Sequence, residues 1–214
     1  EKTDAFLGRG LDWLDDEVNN QILPDGGHIS RSPEQALQAL EILLIVDSLL
    51  FKRGVEGSRT VSRAIDRLRS VIPFFCAADG TLPNFNGGGE NHPPRLRAIM
   101  KAAPDILTKP FGYCPHTGYQ RISSSGTLLI MDTGGTPPGP FDSQAHLAPG
   151  SFELSTKVGR LVVNCGWSRQ QPRKFKKSVR NTAAHSTLVL NNESAGRIVK
   201  DGWLARTLGD VVTF

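Results

Sequence analysis

The chain has 214 residues, 38% hydrophobic and 21% charged, which fits a globular protein with a full apolar core. No run is long and apolar enough to span a membrane, since the best one, Ile42 to Phe51, is interrupted by Asp47. The net charge of +4 is uneven: residues 1–105 hold 12 basic and 15 acidic side chains and residues 106–214 hold 13 and 6, so the second half suits an anionic partner or forms a solvated basic surface.

The first half reads as helices. Leu7, Leu11, Leu14 and Val18 recur at three- and four-residue steps and predict a helix over Asp4 to Val18. Ser32 is an N-cap, Pro33 suits a first turn and Gln35 completes a capping box, so a second helix runs from Pro33 to Arg53. Its apolar side is Leu37, Leu40, Leu44 and Ile45, and Gly54 stops it. A third runs from Arg59 to Ile72, where Pro73 ends it, and a fourth covers Arg95 to Ala102.

Pro104, Pro110 and Pro115 with Gly112 and Gly118 break that pattern. They divide the chain into a helical unit, 1–108, and a strand-rich unit, 109–214. Strands are expected at Tyr119–Ser123, Thr127–Thr133, Ser151–Ser155, Arg160–Asn164 and Ser186–Leu190, with hairpin turns at Ser124–Gly126 and Lys157–Gly159. Helices followed by strands argue for an α+β arrangement in which a helical layer meets an antiparallel sheet along a cleft. Cys76, Cys114 and Cys165 have no metal-ligand spacing and leave the redox compartment open. The chain starts at Glu1 without a methionine and stops inside VVTF, as a piece of a longer protein would. No signal peptide is visible, which for such a piece decides nothing about export.

The chemistry-bearing residues gather around these elements. His28 follows the Asp25–Gly26–Gly27 turn, where the glycines would let a sugar approach the backbone. It is either an acid, base or hydrogen-bond donor, or a turn histidine. Arg31 could clamp a carboxylate with its fork, or be a surface or salt-bridged arginine. Tyr119 and Arg121 share a strand face and could point a hydroxyl and a cation into the cleft, or simply pack there. Asn86, in FNGGGE, could shape the cleft wall or sit in a flexible turn; that loop lacks the lysine of a nucleotide cradle. His146 and His185 lie beside apolar strand runs with Asn164 between them, as a metal or substrate site or as a buried pair ordering the sheet. Six cations in Ser168–Arg180 could steer an acidic polymer or be solvated; one aromatic and no recognised motif argue against nucleic acid.

Five segments in order, QILPDGGHISRSP, PHTGYQRI with TLLIMDTG, AHLAPGSFELS, RLVVNCG and RNTAAHSTLVLN, resemble the heparinase II/III family of bacterial polysaccharide lyases. The resemblance implies the end of an α/α toroid followed by the start of an antiparallel β-sandwich. It also implies β-elimination on a uronate-containing polysaccharide. That chemistry needs a neutralised carboxylate, a base for the C5 proton and an acid for the leaving oxygen. On this reading His28, His146 and Tyr119 are the catalytic candidates, and Arg31, Asn86 and Arg121 contact substrate. His146, Asn164 and His185 are the candidate zinc ligands. The expected partner is an acidic polysaccharide, and the expected place the periplasm or cell envelope of a bacterium. The family tyrosine position holds Gln35, the first histidine of its His-x-His motif is Gln144, and its metal-site aspartate is Asn164. The lyase is the leading reading, and the loss of the tyrosine at Gln35 supports the alternative of a non-catalytic acidic-polysaccharide-binding or envelope-assembly protein on the same fold. Oligomeric state leaves no mark in the sequence.

Overall fold

The computed structural model describes residues 2–77, 79–90, 93–102 and 110–198. The boundary read near residue 109 lies outside these residues. Four helices come first: α1 (Lys2–Gln21), α2 (Pro33–Lys52), α3 (Arg59–Phe75) and α4 (Pro93–Lys101). The Ser32 hydroxyl accepts from the Gln35 N–H at the head of α2, and Ser58 does the same for Val61 at the head of α3. α3 packs against both α1 and α2. Its stripe Val61, Ile65, Leu68 and Ile72 is buried as the periodicity predicts.

Three helical expectations need correction. Leu37 and Leu40 are buried and Leu44 packs partly buried against the core, but Leu43 and Leu50 complete the buried side of α2 and Ile45 is exposed. Pro73 lies inside α3 rather than after it. Proline removes one backbone hydrogen bond, but the next two residues, Phe74 and Phe75, are buried among aromatic rings and hold the last turn. The capping box of α2 is half formed, since the Ser32 N–H donates to the Ser30 hydroxyl instead.

Beyond residue 110 the chain folds into an antiparallel meander of five strands in sequence order: β1 (Tyr113–Cys114), β2 (Tyr119–Ser124), β3 (Thr127–Asp132), β4 (Phe152–Thr156) and β5 (Arg160–Val162). Ser125 and Gly126 both take positive φ, the backbone that closes a tight hairpin between β2 and β3. Register pairs Tyr119 with Asp132 and Ile130 with Glu153. Alternation turns Leu128, Ile130 and Asp132 of β3 to one buried face. That face joins Phe74, Phe75, Phe85 and Tyr119 in a single apolar core shared by helices and sheet.

Two further differences lie in the last third. Ser186–Leu190 does not join the sheet: Asn164 Oδ1 takes the Ser186 N–H, and the Thr187 N–H turns back to the His185 carbonyl. The basic run forms a short helix, α5 (Arg173–Ser178), followed by a 3-10 turn at Thr182–Ala184. Among the described residues no helix is long and apolar enough to cross a membrane.

Candidate functional site

Arg31 stands two residues before α2 with φ of 60°, a backbone that non-glycine residues seldom adopt. That turn sends its guanidinium under the sheet. Nε donates to the Thr117 carbonyl at 2.7 Å and Nη2 to the Gly118 carbonyl at 3.1 Å; Nη1 reaches the Gly135 carbonyl. Nη2 also forms an ion pair with Asp132 at the end of β3. Burial pushes the Asp132 carboxyl up from the usual range, and Arg31, the Gly134 amide and Asn86 pull it back. Burial disfavours the Arg31 charge, but Asp132 and Tyr119 more than restore it. Arg31 lines the cleft, yet its fork is already committed to this carboxylate.

Of the two readings of Tyr119, a hydroxyl in the cleft or packing at a strand end, the structure has the second: the side chain is wholly buried. Its ring packs against Phe75 and Phe85, with the Arg31 guanidinium 5.1 Å from its centre. The hydroxyl donates to the Arg31 carbonyl at 2.6 Å and accepts from Asn86 Nδ2 at 2.9 Å. Burial first, then the Asp132 charge, holds this phenol well above its ordinary range. Asn86 is buried too, with φ of 47°, and its side chain is the hub of the junction: Oδ1 accepts from the His146 N–H at 3.1 Å.

His146 is partly open to the cleft but densely surrounded. Its Nδ1 lies 3.2 Å from the Asn86 amide nitrogen and Nε2 lies 3.0 Å from that of Gly87. A neutral imidazole has one in-plane lone pair, so it can satisfy one of these N–H groups; an imidazolium would satisfy neither. Burial, with His185 and Arg180 nearby, drives its pKa well below 6.5. His185 stacks on it, with ring centres 4.2 Å apart and planes 26° from parallel. Its Nε2 meets the Val179 carbonyl at 2.8 Å, Nδ1 is buried with no partner, and burial lowers its pKa to about 4.

This donor set does not fit zinc. Lone pairs lie in ring planes, so two stacked imidazoles cannot aim at one ion. The Asn164 side chain faces Ser186 instead, with Oδ1 accepting from its N–H at 3.0 Å and its hydroxyl at 3.1 Å. Among the described residues no group of three His, Cys, Asp or Glu could hold a metal.

His28 and Arg121 lie apart from this cluster's hydrogen bonds. The His28 nitrogens face the Ser30 hydroxyl at 2.7 Å and Gln21 Oε1 at 3.1 Å, and burial lowers its pKa to about 4. Arg121 Nε donates to the Phe74 carbonyl at 3.0 Å, tying sheet to helix. The glycines before His28 leave no room for a sugar, because Thr117 fills the space a Gly27 side chain would need. Asp25 holds that contact: it accepts from the Thr117 hydroxyl at 2.6 Å and from the Thr117 and His116 amides.

The cleft is about 590 Å³, walled by Arg31, Asp132, Gly135, His146 and Leu188 among others. Asp132 and Glu153 are the residues that sequence reasoning missed. Each falls on the inward phase of a strand, where a carboxylate must find partners. Glu153 finds Arg160 and the amides of Asn84 and Asn164.

Comparison with known proteins agrees with this architecture. Residues 107–212 match the sequence profile of the heparinase II/III-like C-terminal domain. FtsZ-localized protein C of Caulobacter vibrioides (strain NA1000 / CB15N) is 34% identical over 206 residues, which are 96% of this chain and 35% of that protein. Heparan sulfate lyase HepC from Pedobacter heparinus superposes with a TM-score of 0.69 at 19% identity, over 91% of this chain and 34% of its own. A heparinase III gives 0.70 at 14% identity, over 94% and 38%. The chain thus spans about a third of the length of the proteins it matches. At such identities the solved structures speak for fold alone: toroid helices leading into an antiparallel β-sandwich. Profile, fold and ordered motifs together place this chain in the heparinase II/III-like family.

Proposed function

We propose that this chain belongs to a non-catalytic, acidic-polysaccharide-binding protein of the bacterial cell envelope built on the lyase fold. One observation carries the reading. The candidate proton-moving groups, Tyr119 and His146 at the junction and His28 apart from it, are engaged within the protein, and Gln35 stands at the family's tyrosine position. A base in β-elimination needs a free lone pair within reach of the C5 proton. A phenol that donates to a carbonyl and is held far from ionisation has none. The open cleft, with its backbone-rich wall and the His146 ring, has room for a sugar chain, and the heparinase structures this chain resembles suggest the polysaccharide class. A relative named for its localisation with FtsZ supports an assembly role at the envelope over a digestive one.

The second reading is a uronate lyase. It is favoured by Asp132 and His146 standing together on the cleft wall. Titrating the intact protein with a panel of uronate polymers separates the two. Affinity without the ultraviolet absorbance of unsaturated uronate ends is the expected result. Product that appears with the wild type and disappears with His146→Ala would establish the lyase instead.

A further inference from the structure

From Leu154 to Asn192 the chain carries no acidic residue, while Lys157, Arg160, Arg169, Arg173, Lys174, Lys176, Lys177 and Arg180 fall inside it. Arg160 is neutralised by Glu153, and Arg180 is buried against the Ala145 and Asp142 carbonyls. Arg169, Arg173, Lys174 and Lys177 are exposed and meet no carboxylate among the described residues. Phe175, 59% exposed, is two residues from both Arg173 and Lys177 and so lies across α5 from them.

This surface is held in place from both ends. The Trp167 N–H donates to the Gly88 carbonyl at 2.9 Å, and the Glu90 carboxylate accepts from the Ser168 hydroxyl and the Arg169 N–H. Lys176 folds back, with Nζ donating to the Arg169 carbonyl at 2.6 Å and lying over the Trp167 ring. Arg180 anchors the far end. Glu90 and Lys176 thus serve the frame, and the four remaining cations project from it. Cations on a fixed frame bind a repeating anion without the ordering cost a floppy loop would bear.

We propose that Arg169, Arg173, Lys174 and Lys177 form a second polysaccharide-binding surface, outside the cleft, that takes the carboxylates of a uronate chain. The proposal rests on the polysaccharide-binding reading above. Arg173 and Lys177 stand one helical step of ~6 Å apart, a spacing on the scale of one sugar unit, and Lys174, three residues before Lys177, shares their face of α5. A single aromatic is poor for single-stranded nucleic acid, which is gripped by successive stacked bases. α5 buries nothing and shows one apolar side chain, too little for a helix lying in a membrane surface.

The test is polygalacturonate binding by the intact protein across a salt series, with three proteins: wild type, Arg173→Glu/Lys174→Glu/Lys177→Glu, and Gly135→Trp. A side chain at Gly135, which lines the cleft, meets open space, so a bulky ring can be placed at the cleft wall. The expected result is salt-sensitive wild-type binding that weakens roughly tenfold or more in the triple variant, with a shallower salt dependence. A Gln version of the triple, with an unchanged thermal midpoint, guards against misfolding. Full affinity in the triple variant overturns the proposal, as does tighter wild-type binding to single-stranded DNA or phosphatidylglycerol vesicles, or no binding at all. Loss in the triple variant with none in Gly135→Trp sustains this surface and removes the cleft from the reading; the reverse pattern keeps the cleft and removes this surface.

Discussion

Arg31 and Asp132, 101 residues apart in the chain, form a buried ion pair that closes the junction between the helical layer and the sheet. Each also holds neighbours: Arg31 reaches three carbonyls, and Asp132 receives the Gly134 amide at 3.1 Å. Removing one partner of such a pair leaves the other charge buried and alone, which costs about 3–5 kcal/mol. Asp132→Asn is therefore expected to lower unfolding stability by that amount in a denaturant titration. Arg31→Met/Asp132→Leu strands no charge but leaves the Thr117, Gly118 and Gly135 carbonyls and the Gly134 amide without these partners, so it should cost at least as much as Asp132→Asn.

Tyr119→Phe removes a hydroxyl that bridges the Arg31 carbonyl and Asn86. Two buried polar groups lose a partner, so a stability loss of about 1–3 kcal/mol is expected. Polysaccharide affinity should stay unchanged, because the hydroxyl is walled off from the cleft. Calorimetric unfolding and a binding titration on the same variant check both halves. Affinity lost at full stability would put the phenol in the binding site.

The contrast between what was and was not legible follows from range. Local signals were sound: the Ser32 cap, the α3 stripe and the hairpin at Ser125–Gly126 each depend on a few neighbouring residues. The residue types of the junction were legible as well, for Arg31, Asn86, Tyr119 and His146 do converge. Their partners were not, because a hydrogen bond across 60 to 101 residues leaves no trace in spacing. Asp132 is the instructive miss. Its inward strand phase predicts a buried carboxylate, and a buried carboxylate demands the cation that Arg31 supplies. Ser186–Leu190 misled in the opposite way, since its alternation is that of a strand, while the Asn164 side chain takes the Ser186 N–H and the Thr187 N–H turns back to the His185 carbonyl.

Acid should loosen the fold through histidine. Burial holds His28 and His185 at about 4, below the ordinary 6.5, so the unfolded chain binds protons that the folded chain refuses. Stability is then full above pH 6.5 and is lost as pH falls toward 4, by up to about 3 kcal/mol per histidine. His146 adds to the same trend. Unfolding free energies across pH 4–7 should fall with acid in the wild type and fall less in His28→Gln. An identical slope in both would remove His28 from the account.

Zinc should leave the protein unchanged. His146 and His185 are stacked face to face and Asn164 is turned to Ser186. The thermal midpoint is expected to be the same with added zinc and with a chelator. Asn164→Asp places a carboxylate against the Phe152 carbonyl that now accepts from Nδ2, and should cost about 1–3 kcal/mol without creating zinc dependence. A zinc-dependent rise in the midpoint of either protein would mean that the rings can unstack.

Gly134 packs directly on the guanidinium of Arg31. A Cβ there would lie 2.5 Å from Nη2, 2.7 Å from Cζ and 2.9 Å from Nε, closer than a carbon can come. Gly134→Ala must therefore displace either the guanidinium or the loop whose amide holds Asp132. Both routes strain the same ion pair, so the loss should approach that of Asp132→Asn. The two substitutions should also be strongly non-additive, because the second finds the pair already broken. A double-mutant cycle in urea measures this directly. Additive losses would show that the loop yields without disturbing Arg31, and that the junction is more compliant than its packing implies.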